Sequence, residues 1–253
     1  SMADYSKALA SFEQSIDILK VDLSANHPDL ATAYNNVGLA FMNMGEYSKA
    51  FSFCEQSLDI RKLSLPVNHP DFAQSYNNIG LMHMKMGDYS KALSSYEQSF
   101  EVLKLALSPK HPDLATSYIN IGSVFMSMGD YCKTLSSYEK SLEILKVALP
   151  ENHPNFAECY NSIGEVYDFM GEYSKALSLY ERSFKILKVV LPASHPHLSI
   201  SYNNIAIVYK NMGKFSKALS LCERSLKIRK VALRPNHPDF ASSYNTIGEV
   251  YMS

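Results

Sequence analysis

The dipeptide His-Pro opens at residues 27, 69, 111, 153, 195 and 237, an unbroken spacing of 42 residues. A chain that copies itself at a fixed period of this size is built from one supersecondary unit repeated, and each unit buries its apolar face only against its neighbours. Inside the period a second signal recurs as GEYSKA from Gly45, GDYSKA from Gly87, GDYCKT from Gly129, GEYSKA from Gly171 and GKFSKA from Gly213. No insertion or deletion breaks the register, so the expected architecture is a stack of equivalent units rather than one closed core.

The ten glycines fall at two offsets of the period and the eleven prolines at one short loop per period. Such regular punctuation marks helix ends. Pro28 and its equivalents suit the first turn of a helix, where the missing N–H has no partner to lose, with His27 at the cap. Asp29, Asp71, Asp113 and Asp239 then sit in the electropositive first turn. Gly45 and its equivalents supply a left-handed residue to end that helix. A second helix begins at Glu46, Asp88, Asp130 or Glu172 and keeps an i, i+3, i+4, i+7 apolar rhythm through Tyr47, Ala50, Phe51, Cys54, Leu58 and Leu65, stopping near Pro66 or its counterparts. Each period is thus two antiparallel helices of about 17 and 19 residues, roughly 25 and 29 Å long.

The first helix carries Tyr34-x2-Val37-Gly38-x2-Phe41, echoed as Tyr76-x2-Ile79-Gly80, Tyr118-x2-Ile121-Gly122-x2-Phe125 and Tyr160-x2-Ile163-Gly164-x2-Tyr167. This resembles the tetratricopeptide signature W-x2-L-G-x2-Y, with Tyr for Trp, and Ala50-x3-Cys54 or Ala92-x3-Tyr96 resembles its A-x3-F. Ordinary repeats of that family have 34 residues; HPDxA, YNNIG and GxYxKA at 42 resemble the kinesin light chain class. HEAT and armadillo repeats lack this Gly-plus-Tyr pairing. The resemblance implies an all-α, right-handed α-α superhelical solenoid of helix-turn-helix repeats. It divides the chain into a vector-derived remnant (1–3), a second helix alone (4–26), repeats at 27–68, 69–110, 111–152, 153–194 and 195–236, and a first helix alone (237–253).

Composition narrows the function. With 46% hydrophobic residues, 19% charged and a net charge of −1, the chain has enough apolar material for a core and no bulk attraction for phosphate backbones or anionic bilayers. Neither nucleic acid nor membrane is an expected partner, and no apolar run approaches the ~20 residues of a membrane span. Cys54, Cys132, Cys159 and Cys222 form no ligand spacing and read as reduced structural thiols, which fits a cytoplasmic protein. The periodic histidines lie on the order of 10 Å apart, too far to share a metal, and no nucleophile elbow or phosphate cradle occurs. No cofactor, metal or catalytic residue is therefore expected. The tyrosines at 47, 89, 131 and 173 and the methionines at 44, 86, 128, 170 and 212 read as core, while His83 and His197 read as surface or groove substitutions.

A site is expected on the first helices. If Tyr34, Val37, Gly38 and Phe41 face inward, the opposite face holds Asn35, Asn36 and Leu39, then Asn77, Asn78, Leu81, Asn120, Asn161, Glu165, Asn203, Asn204 and Asn245. An amide both donates and accepts, so a row of them can pair with any peptide backbone. The resemblance implies that this concave groove holds an extended peptide or helix of a protein partner. No cationic clamp for a terminal carboxylate is present, since the offset holds Thr32, Gln74, Thr116, Glu158, Ile200 and Ser242. Glu158, Glu165 and Glu249, with Phe169 among them, favour a basic segment with an apolar anchor. The alternative reading is a spacer or self-associating rod. Tyr5, Ala8 and Leu9 at one end and Tyr244, Ile247 and Tyr251 at the other repeat internal core positions without a polar cap, which suggests weak head-to-tail stacking.

Overall fold

The computed structural model describes residues 2–234 and 237–252, with side chains from Lys7 onward. All regular structure among these residues is helical, in the order α1 Met2–Asp22, α2 Pro28–Asn43, α3 Tyr47–Ser64, α4 Asp71–Met86, α5 Tyr89–Ala106, α6 Pro112–Ser127, α7 Tyr131–Ala148, α8 Pro154–Phe169, α9 Tyr173–Val190, α10 Pro196–Asn211, α11 Phe215–Ala232 and α12 Asp239–Met252. The internal first helices have 16 residues and the second helices 18, one short of the length read from the sequence. The reason is local: Leu65 has already turned to extended backbone (φ −117°, ψ 152°).

Each helix start has a chemical cause. The Nδ1 of His27, His111, His153 and His195 accepts a hydrogen bond from the backbone N–H two residues on, at 3.2 to 3.3 Å. His69 and His237 make the same bond to Asp71 and Asp239. One of the helix's orphan N–H groups is thereby satisfied by a ring that must be neutral at that nitrogen. The five inter-helix glycines have φ between +71° and +82°, the left-handed conformation that lets α2 stop and α3 begin within a few residues.

The chain divides into two compact units, residues 1–137 and 138–253. In the first, a core gathers Leu30, Val37, Phe41, Cys54, Leu58, Phe72, Ile79 and Met82, and a second cluster joins Ala92, Tyr96, Ile121 and Val124. In the second, Ala176, Tyr180, Ile205 and Val208 do the same. Paired helices approach closely because the facing residues are small. Ser57 donates to the Ala31 carbonyl at 2.6 Å, and Ser99, Ser183 and Ser225 repeat the bond to Ala73, Ala157 and Ser199 at 2.8 to 2.9 Å. A Cβ on Gly80 would lie 2.9 Å from two ring carbons of Tyr96. Where the second helix carries Cys222 instead of tyrosine, the first helix carries Ala206, and both are fully buried.

Two sequence expectations need correction. Met128 and Met170 are 49% and 45% exposed, because they occupy the helix-terminating turn just beyond the packed stretch. His83 is 6% exposed and belongs to the interior, its ring 4.9 Å from that of Phe51. It takes the slot that holds Phe41 in the preceding repeat, and a residue type that is usually exposed concealed this. Its Nδ1 has no hydrogen-bond partner, since the Asp88 carboxylate stands 3.7 Å away. Burial and the nearby Lys91 hold the imidazole pKa below its usual range.

Candidate functional site

The amides on the first helices do not form one uniformly exposed row. Asn35 is 3% exposed and its Oδ1 accepts a bond from Asn78 Nδ2 at 2.8 Å. Because α2 touches α4, the position eight residues after the capping histidine faces the next first helix rather than solvent. Asn203 is likewise buried, at 6%. Asn36, Asn77, Asn78, Asn120, Asn161 and Asn204 are half-buried, as are Leu39 and Leu81, while Asn245 and Glu165 are exposed.

Three of these amides have a buried oxygen with no donor, namely Asn77, Asn161 and Asn203. For Asn203 the cause is visible. The residue that would answer it is Thr246, whose hydroxyl instead donates to the Ser242 carbonyl at 3.0 Å. Leaving an amide oxygen buried and unbonded costs about 1–3 kcal/mol, and native structures rarely tolerate this without a ligand or water to answer it.

Two of the orphan oxygens belong to residues that line matching cavities. In the first unit a cavity of about 380 Å³ is bounded by Pro70, Gln74, Asn77, Asn78, Leu103, Asp113 and Thr116. In the second a cavity of about 410 Å³ is bounded by Pro154, Glu158, Asn161, Ser162, Leu187, His197 and Ile200. Seven of the eight lining residues of one are displaced by 84 residues, two full periods, from those of the other, the exceptions being Ala73 and Asn155. Leu103 and Leu187, from the ends of α5 and α9, were not legible as site residues because they read as core. The signal that could have found them is the replacement of leucine by arginine at the same offset, at 61 and 229.

Those arginines are each 3% exposed. Arg61 Nη1 donates to the Asp71 carbonyl at 2.9 Å and to Ser75 Oγ at 2.5 Å. Arg229 bonds the Asp239 carbonyl and both Ser199 and Ser243 hydroxyls. Burial lowers both guanidinium pKa values, with partial compensation from Asp71 and Asp239. The arginines tie the end of a second helix to the start of the next first helix in place of a leucine-walled cavity.

A tetratricopeptide repeat model matches residues 1–62, 71–131 and 113–188, and a second tetratricopeptide repeat model matches 199–239. The chain belongs to the tetratricopeptide repeat family. Its fold class is that family's all-α superhelical solenoid, and its structural neighbours include kinesin light chain-like repeat proteins. BtubC (BKLC) from P. vanneervenii is 20% identical over 93% of each chain, with a TM-score of 0.70. A putative kinesin light chain with nearly identical TPR-like repeats from Podosopora anserina is 21% identical over 82% of this chain and 99% of that one, with a TM-score of 0.66. The tetratricopeptide sensor protein PH0952 of Pyrococcus horikoshii, a signal transduction ATPase, is 16% identical, with a TM-score of 0.70 over 95% of this chain and 36% of its own. No curated protein matches the sequence. Tetratricopeptide repeats mediate protein–protein interaction, and no described helix is long and apolar enough to cross a membrane.

Two tetratricopeptide first helices of the second unit, α8 and α12, are acidic, and α10 between them, which has no carboxylate, partly neutralises them. Glu249 is bonded by Lys210 Nζ at 2.6 Å and Asp168 by Asn211 Nδ2 at 3.2 Å. Burial pushes the Glu165 carboxyl up, and the Asp168 charge pushes it further; Asp168 is also raised by burial, against the Asn211 bond and Lys210. Phe169 stands 65% exposed beside them. Of the end residues, Leu9 packs on the first core, Ala8 and Ile247 are half-buried, and Tyr244 and Tyr251 are 54% and 75% exposed. The Tyr5 side chain lies outside the described residues.

Proposed function

We propose that this tetratricopeptide chain is a scaffold that holds an extended peptide or helix of a partner protein along its first helices. The observation that carries the reading is the pair of cavities at equivalent repeat positions, each lined by a half-buried asparagine, Asn77 or Asn161, opposite a leucine. An asparagine amide can pair with a peptide backbone through the part of it that stays accessible, and the leucine wall opposite suits an apolar side chain. Selecting binders from a random-peptide display library on the intact chain tests this. Enriched peptides should lose about tenfold in affinity, or ~1.4 kcal/mol, on Asn161→Ala and compete with one another. Equal binding to Asn77→Ala, Asn161→Ala and the parent would remove the groove from the account.

A second reading is self-association through α12, favoured by the exposure of Tyr244 and Tyr251 on one helix. Sedimentation velocity across a concentration series decides it. A mass that rises for the parent and stays monomeric for Tyr251→Ser supports association, whereas a monomer throughout refutes it.

A further inference from the structure

Two second helices of the second unit, α9 and α11, carry a charge that their counterparts in the first unit do not, while α7 holds the neutral pair Lys140 and Glu143 at the same positions. The exposed pair Gln56 and Asp59 of α3 recurs as Gln98 and Glu101 of α5, but in α9 it becomes Arg182 and Lys185, and in α11 Arg224 and Lys227. All eight side chains are exposed, so packing does not demand the exchange.

In α9 the exchange falls on a cavity of about 620 Å³. Lys146 at the end of α7 and Arg182 and Lys185 of α9 surround it, with Glu151 at its rim and Phe156 and Tyr160 of α8 as its floor. Three cations against one carboxylate leave an excess of two positive charges. Among the described residues, no carboxylate lies within 4 Å of any of the three cations. Arg182 is also held in place: its guanidinium carbon lies 4.2 Å from the Tyr160 ring centroid, and its Nη2 donates to the Tyr160 hydroxyl at 2.7 Å. Tyr160 is 6% exposed, so the anchor is rigid and much of the ordering entropy of the arginine is already spent. The remaining guanidinium N–H groups and the two ammonium groups are exposed donors open to an anion in the cavity.

We propose that this cavity binds a phosphomonoester dianion. A single carboxylate would leave one cation uncompensated, whereas a phosphomonoester carries about −1.5 to −2 charges at neutral pH and three acceptor oxygens. The group could reach the cavity as free phosphate or on a phosphorylated side chain of a partner, and the first unit supplies an internal control. The corresponding residues there, Lys62, Gln98 and Glu101 over Phe72 and Tyr76, keep the framework without the charge.

The test is titration of the intact chain with a short phosphoserine peptide, its unphosphorylated form and inorganic phosphate, followed by amide chemical shifts and calorimetry. Phosphoserine peptide should bind saturably with shifts at 151–160 and 182–186, and the unphosphorylated peptide should not. Arg182→Gln with Lys185→Glu, the pair the fold already carries at 98 and 101, should weaken binding by at least about tenfold. Lys185→Glu alone, at an exposed site, should act in the same direction while leaving the circular dichroism unchanged. Gln98→Arg with Glu101→Lys should create a second site. Tighter binding of peptide than of phosphate assigns the group to a partner side chain; equal affinity assigns it to the free ion. Absence of saturation up to about 10 mM, or parental affinity in the double variant, overturns the proposal.

Discussion

Replacing Gly80 with alanine probes how closely the paired helices are set. The added Cβ would meet Tyr96 Cδ1 and Cε1 at 2.9 Å and Cζ at 3.1 Å, against about 3.5–4.0 Å for comfortable carbon contact. Tyr96 is 5% exposed and packed in its own cluster, so its ring cannot withdraw freely. Overpacking of this kind costs about 1–3 kcal/mol, while alanine gains about 0.8–1 kcal/mol of helix propensity over glycine. The net expectation is a loss of up to about 2 kcal/mol, a fall of up to roughly 8 °C in Tm. Tyr96→Cys alone removes a buried ring and costs about 3 kcal/mol or more. The double substitution reproduces the Ala206 and Cys222 pairing found in the second unit, so alanine should cost less once the ring is gone, with the cysteine sulfur turning aside from the 2.6 Å approach that a Cβ on Gly38 would make to Cys54. The double-mutant cycle, measured by urea denaturation and amide exchange in α4 and α5, should give a favourable coupling of about 1–3 kcal/mol. Stabilisation by Gly80→Ala alone, or additivity within about 0.5 kcal/mol, would refute the steric reasoning.

His83→Phe removes a buried orphan nitrogen and should stabilise the first unit by about 1–3 kcal/mol at neutral pH. Because burial lowers the folded-state pKa, the parent loses stability as pH falls through the unfolded value of 6.5, and a denaturation series from pH 8 to about 4 should show that loss vanish in the variant. Glu165→Gln has the opposite sign. Its carboxyl is raised in the fold, so the parent's stability falls as pH rises from the unfolded value of 4.5, and the variant should be the more stable at pH 7 but not at about pH 3. Arg61→Leu, which installs the residue found at 103, should be neutral or stabilising, whereas Arg61→Ala should cost more than about 2 kcal/mol by leaving a hole; thermal melts rank the two. A thiol reagent at neutral pH should label one cysteine quickly, exposed Cys132, because burial pushes the Cys54 and Cys159 thiols up to about 12.

What could be read in the sequence was local and periodic. The histidine caps, the left-handed glycines and the narrow crossing at Gly80 each depend on residues within one repeat, and the 42-residue spacing displays them repeatedly. What escaped depends on the flank that one helix turns to the next. Asn35 looks exposed when only the Tyr34–Phe41 face is counted as core, yet the neighbouring first helix covers it. Arg61 and His83 escaped because charged and polar residue types read as surface. The cavity around Arg182 escaped for a further reason, since its cations come from two helices and its floor from a third.

The Gly80 crossing also says something about how the repeats diverged. Three states of the same pair coexist in the chain: glycine with tyrosine at 80 and 96 and at 164 and 180, glycine with cysteine at 38 and 54, and alanine with cysteine at 206 and 222. Alanine is tight opposite either partner: an added Cβ would lie 2.9 Å from the Tyr96 ring at Gly80 and 2.6 Å from the Cys54 sulfur at Gly38. If the repeats descend from a common glycine–tyrosine ancestor, losing the ring first left a single sulfur that can turn aside, and the repeat containing Gly38 stands at that stage, with the sulfur still in the place a methyl would take.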